Sequence, residues 1–92
     1  MTFCHSAMRI EVTFDDISSG EVCDGFRCPL ALAINRATGR TAFVTHTDVA
    51  FADSVTRLFP LPVEASHWVR EFDRLRLATP FGFELDLEFP AK

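Results

Sequence analysis

Polar and apolar residues alternate without a break from Met8 to Phe14, with Met8, Ile10, Val12 and Phe14 on one side and Arg9, Glu11 and Thr13 on the other. Successive side chains of a strand point to opposite faces, so this pattern predicts a half-buried strand. The device returns near the end of the chain, where Phe81, Phe83, Leu85, Leu87 and Phe89 face inward and Gly82, Glu84, Asp86 and Glu88 outward. Two matching patterns of this kind predict strands that share a sheet, and as neighbours they would set Arg9 against an acidic row.

Between them the period lengthens to that of helices. Pro29 suits a first helical turn, where its missing N–H needs no partner; Leu30, Ala33, Ile34 and Ala37 then recur at helical spacing, and Gly39 supplies the left-handed stop. A second helix opens after Leu61 at Pro62. Its apolar stripe is Ala65, Trp68, Val69, Phe72 and Leu75, with Glu64, Arg70, Glu71 and Arg74 outside. Residues 41–46 predict a strand, and one or two more fit between Val49 and Phe59, with turns at Thr47/Asp48 and Asp53/Ser54. Phe51, Leu58, Phe59 and Leu61 make an unusually apolar segment there, either folded back into the core or buried by another subunit.

These elements predict an α+β fold: a two-layer sandwich with a mainly antiparallel sheet of about four or five strands and two helices on one face, in the ferredoxin-like order β-α-β-β-α-β. Residues 1–7 carry no pattern and are expected to be a frayed extension of a single domain over 8–92, with Met8 an alternative start.

Composition sharpens the picture. Of 92 residues 48 % are apolar, with ten Phe, one Trp and no Tyr, which supplies a hydrophobic core and excludes a disordered chain. No apolar run approaches the ~18 residues of a membrane span, and the start lacks a charged region followed by an apolar stretch, so a cytoplasmic protein that binds no membrane is expected. The net charge of -4 works against nucleic-acid binding, which needs a concentrated basic surface. All basic residues but Lys92 are arginine, the residue suited to bidentate recognition of phosphate or carboxylate, although codon bias accounts for the same usage. Three cysteines cannot complete a disulfide framework, so free thiols are expected.

The candidate chemistry gathers at Asp16 to Pro29, a polar loop with two glycines that feeds a helix start. Unpaired amides at such a start attract anions. Arg27, Cys28 and Asp24 stand there, and Arg36 and Arg40 can complete a pocket for a small anionic ligand if the fold brings them round; the plainer alternative is that Asp24 or the Cys28 sulfur caps the helix. A thiol at a helix start is also a candidate nucleophile, but it needs a base, and His5, His46 and His67 are all distant in sequence. His46 and His67 are candidates for a ligand contact or a pH-sensitive group, but lone histidines in such places are more often packing or surface residues. Cys4, His5, Cys23 and Cys28 lack the paired spacing of a zinc site, so neither a metal nor another cofactor is expected. The acidic row Glu84, Asp86 and Glu88 is a candidate to bind a cation or a basic partner, although alternating acids on the outer face of a strand usually just face water.

Asp16-Ile17-x-x-Gly20, Asp24, the run Cys28-Pro29-x-Ala31-Leu32-Ala33, Leu61-Pro62, Glu71-Phe72-Asp73 and Pro80-Phe81-x-Phe83 together resemble a pattern of small uncharacterised proteins of actinobacterial bacteriophages and their hosts. That resemblance implies a context and no activity. Viral proteins of this size are commonly accessory factors that bind a host protein or sequester a small molecule such as a nucleotide immune signal. The expected function is therefore a non-enzymatic binding module of this type. The alternatives are an enzyme using Cys28 as nucleophile and a purely structural homo-oligomer, association being favoured by the apolar segment and free sheet edges.

Overall fold

The computed structural model describes residues 3–75 and 79–90, with the side chains of 3–7, 54–56 and 86–90 left outside the description. Leu87, Phe89, Asp86 and Glu88, assigned to faces by alternation, and Cys4 and His5 therefore fall, as side chains, outside the described residues.

The two alternating segments do pair. Strand β1 (Phe3–Val12) and strand β5 (Phe81–Pro90) run antiparallel, with Met8 opposite Leu85, Ile10 opposite Phe83 and Val12 opposite Phe81. One face of this ribbon is thus a continuous apolar surface. Arg9 lies opposite Glu84 as expected, and its guanidinium also meets Glu11 at 2.5 Å. The ladder continues back to Phe3, so the backbone of residues 3–7, expected to be frayed, is paired with 86–90.

After Val12 the chain departs from expectation. Thr13 to Asp16 form a capping box: the Thr13 hydroxyl accepts the Asp16 N–H at 3.2 Å, and the Asp16 carboxylate accepts the Thr13 N–H at 2.9 Å. This satisfies donors that a helix start would otherwise leave unpaired, and a short helix α1 (Phe14–Ser19) forms where a strand end and loop were expected. Phe14, placed inward by alternation, is 70 % exposed for that reason.

Helix α2 (Pro29–Thr38) has the predicted limits, with Pro29 at its first turn and Gly39 left-handed at φ 72°, its N–H donating to the Asn35 carbonyl at 2.8 Å. Leu30, Ala33 and Ile34 are buried, whereas Ala37 is exposed. Strands β2 (Ala42–Val44), β3 (Asp48–Phe51) and β4 (Ser54–Pro60) follow as an antiparallel meander. The apolar segment is folded into the core at Phe51, Phe59 and Leu61, while Leu58 points out. Helix α3 (Val63–Leu75) buries Ala65, Val69 and Phe72, and half-buried Trp68 stacks on Phe72 and Phe81 with its indole N–H donating to the Thr79 carbonyl at 3.0 Å.

The fold is therefore α+β, and among the described residues it has three helices and five antiparallel strands, in two small sheets rather than one ferredoxin-like sheet. The meander closes through turns of a few residues, and short closures cost little chain entropy. Helix α2 packs against both β1 and β2, and both sheets contribute side chains to one core with α2 and α3. This arrangement brings the 20–28 loop, the end of β2 and the C-terminal half of α3 together.

Candidate functional site

The loop that precedes α2 is folded back on itself. The Asp24 carbonyl accepts the N–H groups of Arg27 (3.1 Å) and Cys28 (2.8 Å), its carboxylate Oδ1 accepts the Phe26 N–H at 3.0 Å, and Glu21 N–H donates to the Arg27 carbonyl at 2.9 Å. Gly20 is where the loop presses on the helix, since a Cβ there would lie 2.7 Å from the Pro29 ring. Gly25 presses in the same way on the ring of Phe43. The left-handed residue of the loop is neither glycine but Cys23, at φ 57°. That conformation disfavours a side-chain-bearing residue by about 1–2 kcal/mol, and here the Cys23 N–H is held by Asp73 Oδ1 at 2.9 Å.

Asp73 is the hinge of the site. Its other oxygen lies 2.7 Å from His46 Nε2, an ion pair when the imidazole is protonated and a hydrogen bond when it is neutral. The carboxylate is only 11 % exposed and joins α3 to both the loop and the β2–β3 turn. Thr45 shapes that turn, its hydroxyl accepting the Asp48 N–H at 3.0 Å and the Thr47 N–H at 3.3 Å. The result is a cleft of about 330 Å³. Cys28, Val44 and Val69 line its buried side, Phe43 forms a wall, and Asp24, Asp73 and His46 supply polar groups. Phe26 backs Phe43 edge to face, with ring centroids 4.8 Å apart.

Cys28 is buried, and its sulfur caps α2 by accepting the Ala31 N–H at 3.4 Å. Burial is the main cause that pushes its thiol up to about 11; the Ala31 and Leu30 amides act in the opposite direction, and the negative charges of Asp73 and Asp24 add to the rise. A buried thiol among carboxylates stays protonated.

The predicted anion pocket does not assemble. Of its five residues only Asp24 and Cys28 meet in the cleft, and they bring a carboxylate and a protonated thiol. The Ala31 amide at the helix start is occupied by the Cys28 sulfur, and the Leu32 amide by the Cys28 carbonyl. Arg36 instead grips Asp16 through two bonds of 2.7 and 2.8 Å and donates to the Glu11 carbonyl at 2.8 Å. Arg40 pairs with Asp53 at 2.8 Å and lies over the Phe51 ring. Arg27 is largely solvated and loosely paired with Glu21 at 3.9 Å. Neither Arg36 nor Arg40 lines the cleft.

The residue that sequence reasoning missed as a site is Asp73, which appeared only within a motif. Its signal was available: it stands four residues after Val69, on the face that α3 turns inward. His46 was singled out, but on strand parity, whereas β2 ends at Val44 and His46 reaches the cleft from the turn.

A second cavity, of about 360 Å³, opens on the other side of that turn. Thr47, Ser66, His67 and Arg70 line it beside Leu61 and Val63. The Ser66 hydroxyl donates to the His46 carbonyl, so one turn separates the two cavities. Arg70 was read from the sequence only as an outward residue of the helix.

Among the described residues no group of three or more His, Cys, Asp or Glu side chains could hold a metal ion, and no helix is long and apolar enough to cross a membrane. No protein-family model, curated protein or solved structure matches the chain.

Proposed function

We propose that this chain is a small accessory binding protein without catalytic activity, and that it holds its ligand in the cleft between the 20–28 loop, the β2–β3 turn and α3. One observation carries this reading: Cys28, His46 and Asp73 border a single cavity, yet the thiol is held up at about 11. A cysteine nucleophile works as a thiolate, activated by a base or a positive environment. Here the thiol is buried and faced with carboxylates, and among the described residues its sulfur bonds the Ala31 amide and no histidine. What remains is a rigid, partly apolar recess with fixed polar groups, which is the form of a binding site. The resemblance to phage-type proteins supports a host factor in the cytoplasm as the partner.

Amide chemical shifts during titration with a panel of small fragments test this reading. Saturable shifts clustered at Cys23, Gly25, Val44 and His46 are expected. Shifts scattered over the surface, or none at these residues, would overturn it.

A second reading, sequestration of a small anionic ligand, is favoured by the second cavity, where His67 and Arg70 stand one helical turn apart on α3. Titration with inorganic phosphate decides it. Shifts at Ser66, His67 and Arg70 that vanish in Arg70→Ala support sequestration, and unchanged spectra remove it.

A further inference from the structure

We propose that the cleft recognises a guanidinium group, inserted between the Phe43 ring and the carboxylates of Asp24 and Asp73. This deepens the binding reading above and rests on it. The chemistry begins with what the cleft offers. Asp73 spends one lone pair on the Cys23 amide and one on His46, and each carboxylate oxygen can accept a further hydrogen bond. Asp24 uses Oδ1 for the Phe26 amide, and among the described residues its Oδ2 accepts nothing. Phe43 is held in place by Gly25 behind it and Phe26 at its edge, yet it is 38 % exposed. A fixed, exposed ring beside two carboxylates is a combination that favours a flat cation, through the negative face of the ring and bidentate hydrogen bonds to oxygen.

The same protein contains this combination already filled. The Arg40 guanidinium lies 4.0 Å from the centre of the Phe51 ring and donates to Asp53 at 2.8 Å. At the cleft the ring and the carboxylates are present, and among the described residues no arginine lines it. Arg36 and Arg40 are committed elsewhere, and Arg27 points into solvent. The volume of about 330 Å³ sits at the lower end of ligand pockets, which suits one side chain or a small molecule and not a nucleotide. The net charge of -4 draws a cation towards the surface at long range.

Amide-shift titrations of the full chain with Nα-acetyl-arginine amide and with its neutral urea isostere, Nα-acetyl-citrulline amide, test the proposal. The arginine compound is expected to shift Cys23, Gly25, Val44 and His46 saturably and to bind at least tenfold more tightly than the citrulline compound. Agmatine serves as a free-amine arm. Tighter binding of the acetylated amide marks a protein side chain as the natural source, and tighter binding of agmatine a free polyamine. Phe43→Leu and Asp24→Asn should each weaken the arginine compound several-fold, while Glu71→Gln, a carboxylate paired on the far side of α3, should leave it unchanged. Equal binding of the arginine and citrulline compounds at the cleft overturns the guanidinium proposal and leaves the cleft as a binding site. If neither compound, nor any fragment of the panel, moves those amides, the proposal and the binding reading fall together.

Discussion

Replacing Asp16 by alanine should destabilise the fold by about 2–3 kcal/mol. The side chain is buried, and its two oxygens accept three hydrogen bonds: two from Arg36 at 2.7 and 2.8 Å and one from the Thr13 N–H at 2.9 Å. Loss of the capping box accounts for about 1 kcal/mol. Breaking a fully buried ion pair costs about 3–5 kcal/mol because a charge is stranded. Arg36, however, is 53 % exposed and can return to water, so roughly 1–2 kcal/mol is the fitting share. For a domain of this size the sum lowers Tm by about 10–20 °C. Asp16→Asn should be nearly as costly, since its amide nitrogen cannot accept the bonds that Arg36 and Thr13 offer. Burial pushes the Asp16 carboxyl up, but the Arg36 guanidinium and the bonds with Thr13 outweigh it, leaving the group below its ordinary value of 3.8. A lowered folded pKa means that the stabilisation is present above pH 4 and is lost as pH falls through the folded value. The gap between parent and Asp16→Asn should therefore close in acid. Urea denaturation at pH 7 and pH 3 reads both effects, and a loss below about 1 kcal/mol at pH 7 would refute the view of Arg36 as a structural clamp.

Other outcomes follow from packing. Phe83→Ala should cost about 3–5 kcal/mol in chemical denaturation, because the ring is buried in the ribbon face opposite Ile10; a loss under about 1 kcal/mol would show the register to be wrong. Gly20→Ala should destabilise measurably, since a Cβ would lie 2.7 Å from the Pro29 ring and 2.8 Å from the Asp16 carbonyl, neither of which can yield, whereas Gly82→Ala meets only the movable ends of Arg9 and Glu11 and should change Tm little. The reverse order in a thermal melt would contradict the loop packing. The Arg74 pair with Glu71 spans one turn of an exposed helix face, so Arg74→Ala should cost no more than about 0.5 kcal/mol, and a larger loss would mean that the α3 surface is buried by something else.

The fold was legible in the sequence wherever one local signal decided it. The alternation of Met8 to Val12 and Phe81 to Leu85 gave both strands and their pairing, and the proline and glycine limits of α2 hold to the residue. Thr13 and Asp16 carried an equally local capping signal, but alternation that continued through Phe14 hid it. The separation of the sheets was not legible, because the same order of elements serves either one sheet or two and only long-range packing chooses. The site shows the same division. That Cys28 sits at a helix start could be read from Pro29, and that its sulfur caps the helix was one of the two readings available. Which arginines would converge could not be read, since Arg36 and Arg40 find Asp16 and Asp53 through the fold, and Asp73 reaches Cys23 across fifty positions of the chain.

The ionisation of Cys28 tests the central claim most directly. With Cys4 and Cys23 replaced by serine, the thiolate absorbance near 240 nm can be titrated on the single remaining cysteine. A shift from 9.0 to about 11 means roughly 100-fold less thiolate at any neutral pH. The account predicts no appreciable thiolate signal below pH 9 and a midpoint near 11, with Asp73→Asn moving that midpoint downward by removing a negative charge. A midpoint below pH 8 would contradict it, because the thiol would then be activated and the cleft would be a catalytic site.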